Sequence, residues 1–145
     1  MSKVLVLYDT RTGNTGRMAR AVADGAKSVQ GTEVVLKKVG EGSGELAAAD
    51  AIVLGSPTHN TQPSRAMRSF LSSLGNIPLQ GKVGGAFGSY GWSGEAPEII
   101  AQALRNQGVQ VIGEAVRARK TPGTSDLSKC RDLGRAVAES VVTAE

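Results

Sequence analysis

Two short stretches, "VLVLY" (Val4 to Tyr8) and "AIVLG" (Ala51 to Gly55), are apolar without interruption. A strand with one wet face alternates apolar and polar residues. An unbroken apolar run of strand length instead marks a strand buried on both faces, as in the centre of a parallel sheet. Both faces of such a sheet must be covered, and the connections between parallel strands supply the helices that cover them.

The rest of the chain fits that requirement. "EVVLKKV" from Glu33 and "VQVIGEAV" from Val109 carry charge or alternate, so they read as edge strands, and "KVGGAFGSY" from Lys82 supplies a further, glycine-thinned strand. Between the strands, Met18, Val22, Ala26 and Val29 share one helical face, as do Met67, Phe70, Leu71 and Leu74, with Pro63 in the first turn. Ile99, Ile100, Ala103 and Leu104 mark a third helix ending at Gly108, and Leu127, Cys130, Val137 and Val141 a last one begun by Thr124 or Ser125. Residues 40–50 read as one short helix or a loop. Right-handed crossovers then give an α/β, doubly wound, five-stranded parallel sheet of order 2-1-3-4-5 with helices on both faces.

With 145 residues, 40% hydrophobic and 21% charged, the chain suits one domain over 1–145. Cys130 and His59 are the only residues of their kinds. An internal disulfide and a cysteine-based metal site are thereby excluded, and histidine-rich metal centres and a histidine-based catalytic triad are disfavoured. No apolar run is long enough for a membrane span, and a cytoplasmic protein is expected. Net charge is +4, and residues 117–135 hold six basic residues (Arg117, Arg119, Lys120, Lys129, Arg131, Arg135) against Asp126 and Asp132. No aromatic residue interleaves with them and no nucleic-acid motif is present, so neither nucleic acid nor membrane is an expected partner.

Ligands in doubly wound sheets bind outside the carboxyl ends of the strands at the switch point. Three loops converge there: "DTRTGNT", "GSPTHNTQP" and "GSYGWSGEA". In the first, Asn14, Thr15 and Gly16 open a helix whose free N–H groups and dipole favour an anion, with the Thr10, Thr12 and Thr15 hydroxyls and the Asn14 amide as further donors. No lysine follows a G-x-x-x-x-G frame and no G-x-G-x-x-G is present, which points away from triphosphates and dinucleotides toward a phosphate monoester. Simple helix capping is the alternative. In the second loop, Pro57 bends the backbone, Thr58 and Asn60 can bond it locally, and His59 either lies against a flat ring or is exposed. In the third, Trp92 lies outside any periodic core pattern and either stacks on a planar cofactor or caps the sheet. Tyr90 is a weaker candidate, Glu95 suits the N-terminus of the next helix, and Cys130 reads as a packing residue.

Together the three motifs resemble the phosphate loop and the two isoalloxazine loops of flavodoxins. With "YDT" and "CRDLGR", they are most similar to the flavodoxin module of A-type flavoproteins (flavodiiron proteins). The resemblance implies a flavodoxin-like fold and FMN. It assigns the phosphate to Thr10, Arg11, Thr12, Gly13, Asn14 and Thr15. The ring falls to Ser56, Pro57, Thr58, His59, Asn60 and Thr61 and to Ser89, Tyr90, Gly91, Trp92 and Gly94, with Trp92 on one ring face and the Thr58–Thr61 backbone near the redox-active edge. Two departures stand out: His59 replaces an aromatic residue frequent in the module, and the chain is basic where flavodoxins are typically acidic. The expected function is electron transfer through FMN between a reductase and an acceptor, with redox partner proteins that present an acidic docking surface. An FMN-dependent NAD(P)H quinone reductase is the enzymatic alternative. A receiver domain, which needs an aspartate where Ser56 and Pro57 stand, and a flavin-free interaction module are the others.

Overall fold

A computed structural model describes residues 2–144, without the side chains of 43 and 142–144. The chain runs β1 (Ser2–Tyr8), α1 (Asn14–Lys27), β2 (Thr32–Lys38), β3 (Ala51–Gly55), β4 (Thr58–His59), β5 (Gln62–Pro63), α2 (Arg65–Ser72), β6 (Val83–Tyr90), α3 (Ala96–Asn106), β7 (Gln110–Val111), β8 (Val116–Arg119) and α4 (Thr124–Ala144). The main sheet has the order β2-β1-β3-β6-β7, with β8 continuing along the β6 edge beyond β7. Every pairing in it is parallel. This is the expected 2-1-3-4-5 order with its last strand divided.

Alternation along the central strands assigns side chains to two cores. Val4, Val6, Ala51, Val53 and Phe87 face α1 and α4, while Leu5, Leu7, Ile52, Leu54 and Ala86 face α2 and α3. All are essentially inaccessible to solvent, and each large one contributes about 1.5–3 kcal/mol by leaving water. On α4, Cys130, Leu133, Val137, Ala138 and Val141 are buried at helical spacing. Burial also pushes the Cys130 thiol up to about 12, with the Asp126 carboxylate adding to the shift. The thiol therefore stays protonated and acts as a packing group.

Helices α1 and α4 touch backbone to backbone. A Cβ on Gly134 would lie 1.9 Å from the Val22 carbonyl oxygen, and one on Gly25 would lie 1.9 Å from that of Arg131. No helix among the described residues is long and apolar enough to cross a membrane, and none of their His, Cys, Asp and Glu side chains form a metal-binding group of three or more.

Four expectations need correction. The fifth strand does not run continuously from Val109: it stops at Val111, Gly113 takes a left-handed φ of 65°, and pairing resumes at Val116. Residues 112–115 thus stand opposite residues 85–86 of β6, and the surplus residues bulge out of the edge. Pro63 lies in β5 rather than in the first helical turn. Ser64 caps α2 instead, its hydroxyl accepting from Met67 N–H. Ile99 is 39% exposed, because the buried face of α3 follows Pro97, Ile100, Ala101 and Leu104. Val29 lies beyond the end of α1, although it still packs against the core. Residues 40–50 contain one 3-10 turn, Ser43–Glu45.

Gly134→Val is expected to lower stability by about 1–3 kcal/mol through overpacking of the helix contact. Gly75→Ala, where an added Cβ meets nothing within 4 Å, serves as the control. Thermal unfolding followed by circular dichroism reads the difference between them.

Candidate functional site

Register brings the three loops together. Tyr8 pairs with Gly55 and Gly55 with Phe87, so β1 and β3 end side by side at the level of Phe87, and β6 runs on beside them to Tyr90 before its own loop begins. The approach is close: a Cβ on Gly55 would lie 2.1 Å from the Phe87 ring, and one on Gly88 would lie 2.0 Å from the Ser56 carbonyl oxygen. Glycine is required at both positions for the strand ends to converge.

The first loop is organised around Thr10. Its Oγ1 accepts from the N–H groups of Gly13 (3.1 Å) and Gly16 (3.3 Å), and its own proton remains available as a donor. Gly13, at φ 92°, turns the chain into α1 without a side-chain cap, and the first helical bond runs from Arg17 N–H to Gly13 O. The N–H groups of Asn14 and Thr15 therefore head the helix with no acceptor within it. Thr15 is buried, and its Oγ1 shares a 2.7 Å hydrogen bond with Ser89 Oγ at the end of β6. Its hydroxyl holds two loops together. Asn14 Oδ1 accepts from Arg17, which leaves the Asn14 amide NH2 as a donor.

The second loop is a hairpin. β4 and β5 pair Thr58 with Pro63 and His59 with Gln62. The turn residues Asn60 (φ 53°) and Thr61 (φ 66°) are both left-handed, as the tightest hairpin connection requires. That conformation strains the β-branched Thr61. Ser56, fully buried, closes the base of the hairpin by donating to Pro57 O and accepting from Ser64 N–H. Thr58 Oγ1 accepts from Ala96 N–H, joining this loop to the start of α3 and the end of the third loop.

A cleft of about 260 Å³ opens where these loops meet, lined by Arg11, Thr12, Asn14, Pro57, Thr58, His59, Ser89, Tyr90, Gly91 and Lys120. Nine of these ten lie in the predicted loops. Thr10, Gly13, Thr15 and Ser56 shape the walls from behind, and Asn60 and Thr61 form the hairpin tip. Gly94 makes room for Tyr90, whose ring an added Cβ would meet at 2.9 Å. Trp92 stands beside the cleft, 96% exposed. That exposure removes the alternative in which it caps the sheet.

Lys120 is the lining residue that the sequence reading leaves outside the site. It follows β8, its N–H donates to Tyr90 O at 2.6 Å, and its backbone is left-handed at φ 57°. The signal lies in "VRAR", whose alternation extends the last strand to Arg119 and places Lys120 at its carboxyl end.

The arrangement fits a phosphorylated planar ligand. Anion donors sit at the helix start, the hairpin and third loop flank a narrow slot, and the volume lies just under the roughly 300–1,000 Å³ of enclosed small-molecule sites, as expected for a groove open along one edge.

A flavodoxin family model matches residues 6–134. A flavodoxin of Aquifex aeolicus is 40% identical, with 97% of this chain and 88% of the relative covered. A type A flavoprotein of Rhodobacter capsulatus is 34% identical over 94% of this chain, which corresponds to 32% of that protein. A solved archaeal flavodoxin is similar at TM-score 0.91 and 38% identity, covering 97% of this chain and 99% of its own. Rubredoxin oxygen:oxidoreductase from Desulfovibrio gigas is similar at TM-score 0.91 and 29% identity, covering 97% of this chain but 36% of its own. The chain thus spans about a third of these larger proteins.

Thr15→Val leaves the Ser89 hydroxyl buried without its partner and is expected to cost about 1–3 kcal/mol. The double variant Thr15→Val/Ser89→Ala removes both hydroxyls and should recover part of that loss. Urea unfolding curves of the single and double variants check the coupling.

Proposed function

The chain belongs to the flavodoxin family, whose members bind FMN and carry electrons, and we propose that it shuttles one or two electrons between a reductase and an acceptor. The observation that carries this reading is the single cleft where the helix N-terminus, the hairpin and the Tyr90 loop meet.

In this reading, the phosphate is held by the N–H groups of Asn14 and Thr15, the Thr12 hydroxyl and the Asn14 amide, and the Thr10 hydroxyl adds its remaining proton. Pro57, Thr58 and His59 border one side of the ring, and Tyr90 and Gly91 the other. Trp92 covers an exposed face. When bound, FMN supplies reversible one- or two-electron chemistry, and the protein supplies position and electrostatic environment. The hairpin offers backbone groups near the ring: Asn60 and Thr61 are both left-handed, and Ser56 with Ser64 closes its base.

Charge points to the partner. Arg11 and Lys120 line the cleft, and Arg117 and Arg119 stand exposed on the adjoining strand. A redox protein with an acidic surface around its own electron-exit site fits this rim and gains association rate from the long-range attraction. The activities of the larger relatives involve parts that this chain does not span, and none of them is proposed for it.

Anaerobic titration with a one-electron reductant, followed by visible absorption, tests the assignment. The protein loaded with FMN should pass through two spectrally distinct one-electron steps and show no sustained turnover with NADPH and a quinone. A single two-electron step accompanied by steady turnover would replace the carrier with a quinone reductase.

A further inference from the structure

The cleft carries two cations that binding of a flavin ring does not explain. Arg11 borders it from the β1–α1 loop and Lys120 from the segment after β8, both exposed, and no aspartate or glutamate lines it. Ion pairs among the described residues include Lys3–Glu45, Lys37–Glu45, Arg105–Glu98 and Arg135–Asp132, none of them at the cleft. Neither the Arg11 nor the Lys120 side chain has a hydrogen-bonding or ionic partner among the described residues.

The position of Lys120 is fixed by the backbone. A left-handed φ is uncommon for a residue other than glycine, and here it is held by the 2.6 Å hydrogen bond from Lys120 N–H to Tyr90 O. The lysine stem therefore leaves the chain at a set point beside the third loop. The cleft is small, about 260 Å³, so charges on its rim act on an anion bound inside it over a range comparable with the Debye length of about 8–10 Å. Two exposed cations that border one small volume, with no carboxylate among its lining residues, favour an anion bound there.

Building on the FMN reading, we propose that Lys120, with Arg11, is a specificity determinant that makes the site discriminate by charge for the phosphorylated flavin over the unphosphorylated one. The helix start supplies directional donors to the phosphate oxygens. The two side chains add net positive charge, which that helix start lacks: α1 has no basic residue before Arg17. Riboflavin shares the ring and the ribityl chain but not the dianion, so it gains nothing from either cation. Discrimination that rests on formal charge is weakened by salt more strongly than discrimination by shape or by short-range donors.

Flavin fluorescence titrations with FMN and with riboflavin, at low and high ionic strength, test this on the full chain. In the unmodified protein, the preference for FMN over riboflavin should shrink as salt rises. Lys120→Gln should reduce that preference by roughly threefold to tenfold at low salt, the range of one partly screened charge contact, with riboflavin affinity held within about twofold. Lys120→Arg should retain the preference, and Arg11→Gln should lower it in the same direction. A preference that does not vary with salt, or equal losses for both flavins in Lys120→Gln, would overturn the proposal even if FMN binds well. Failure of the unmodified protein to bind either flavin would instead remove the FMN reading on which the proposal rests.

Discussion

The structure depends on the shared register of three buried parallel strands. Tyr8, Gly55 and Phe87 stand side by side across β1, β3 and β6, so the connections after β1 and β3 leave the sheet beside the last residues of β6. Burial on both faces enforces that alignment. A slip of one residue in β3 would exchange the side chains of Val53 and Leu54 between the two cores and leave neither filled. Gly55 adds a steric lock, since the Phe87 ring occupies the space its Cβ would need.

On that base, the loops are joined by hydroxyls more than by charges. Thr10 gathers the turn before α1, Thr15 ties α1 to Ser89, Ser56 and Ser64 close the hairpin, and Thr58 holds the start of α3. Each bond is worth only about 0.5–1.5 kcal/mol net, but together they fix where the unengaged N–H groups point before any ligand arrives. The cations at the cleft have the complementary role: unpaired among the described residues, they add long-range charge to a site whose short-range geometry is already set.

Much of this was legible in the sequence. The apolar runs at Val4–Tyr8 and Ala51–Gly55 revealed strands wet on neither face, and the strand ends led to the loops that line the cleft. The break in the last strand is a backbone event that the pattern of residues does not show. Gly113 adopts a left-handed conformation, and residues 112–115 crowd opposite two residues of β6, which hydropathy does not register. That break hid Lys120, which read as one more charge in a basic stretch. The β4–β5 hairpin was equally hidden, because neither Asn60 nor Thr61 is a glycine although both are left-handed. The exposure of Trp92 is a tertiary fact that no local pattern encodes.

The central claim is that the ring occupies the slot between the second and third loops while the phosphate sits on the N-terminus of α1. Backbone amide chemical shifts recorded with FMN and with riboflavin test it most directly. FMN should shift Asn14 and Thr15 together with residues 58–61 and 89–92, and riboflavin should shift the latter two groups while leaving Asn14 and Thr15 nearly in place. Equal shifts at Asn14 and Thr15 with both flavins, or shifts centred away from the three loops, would contradict it.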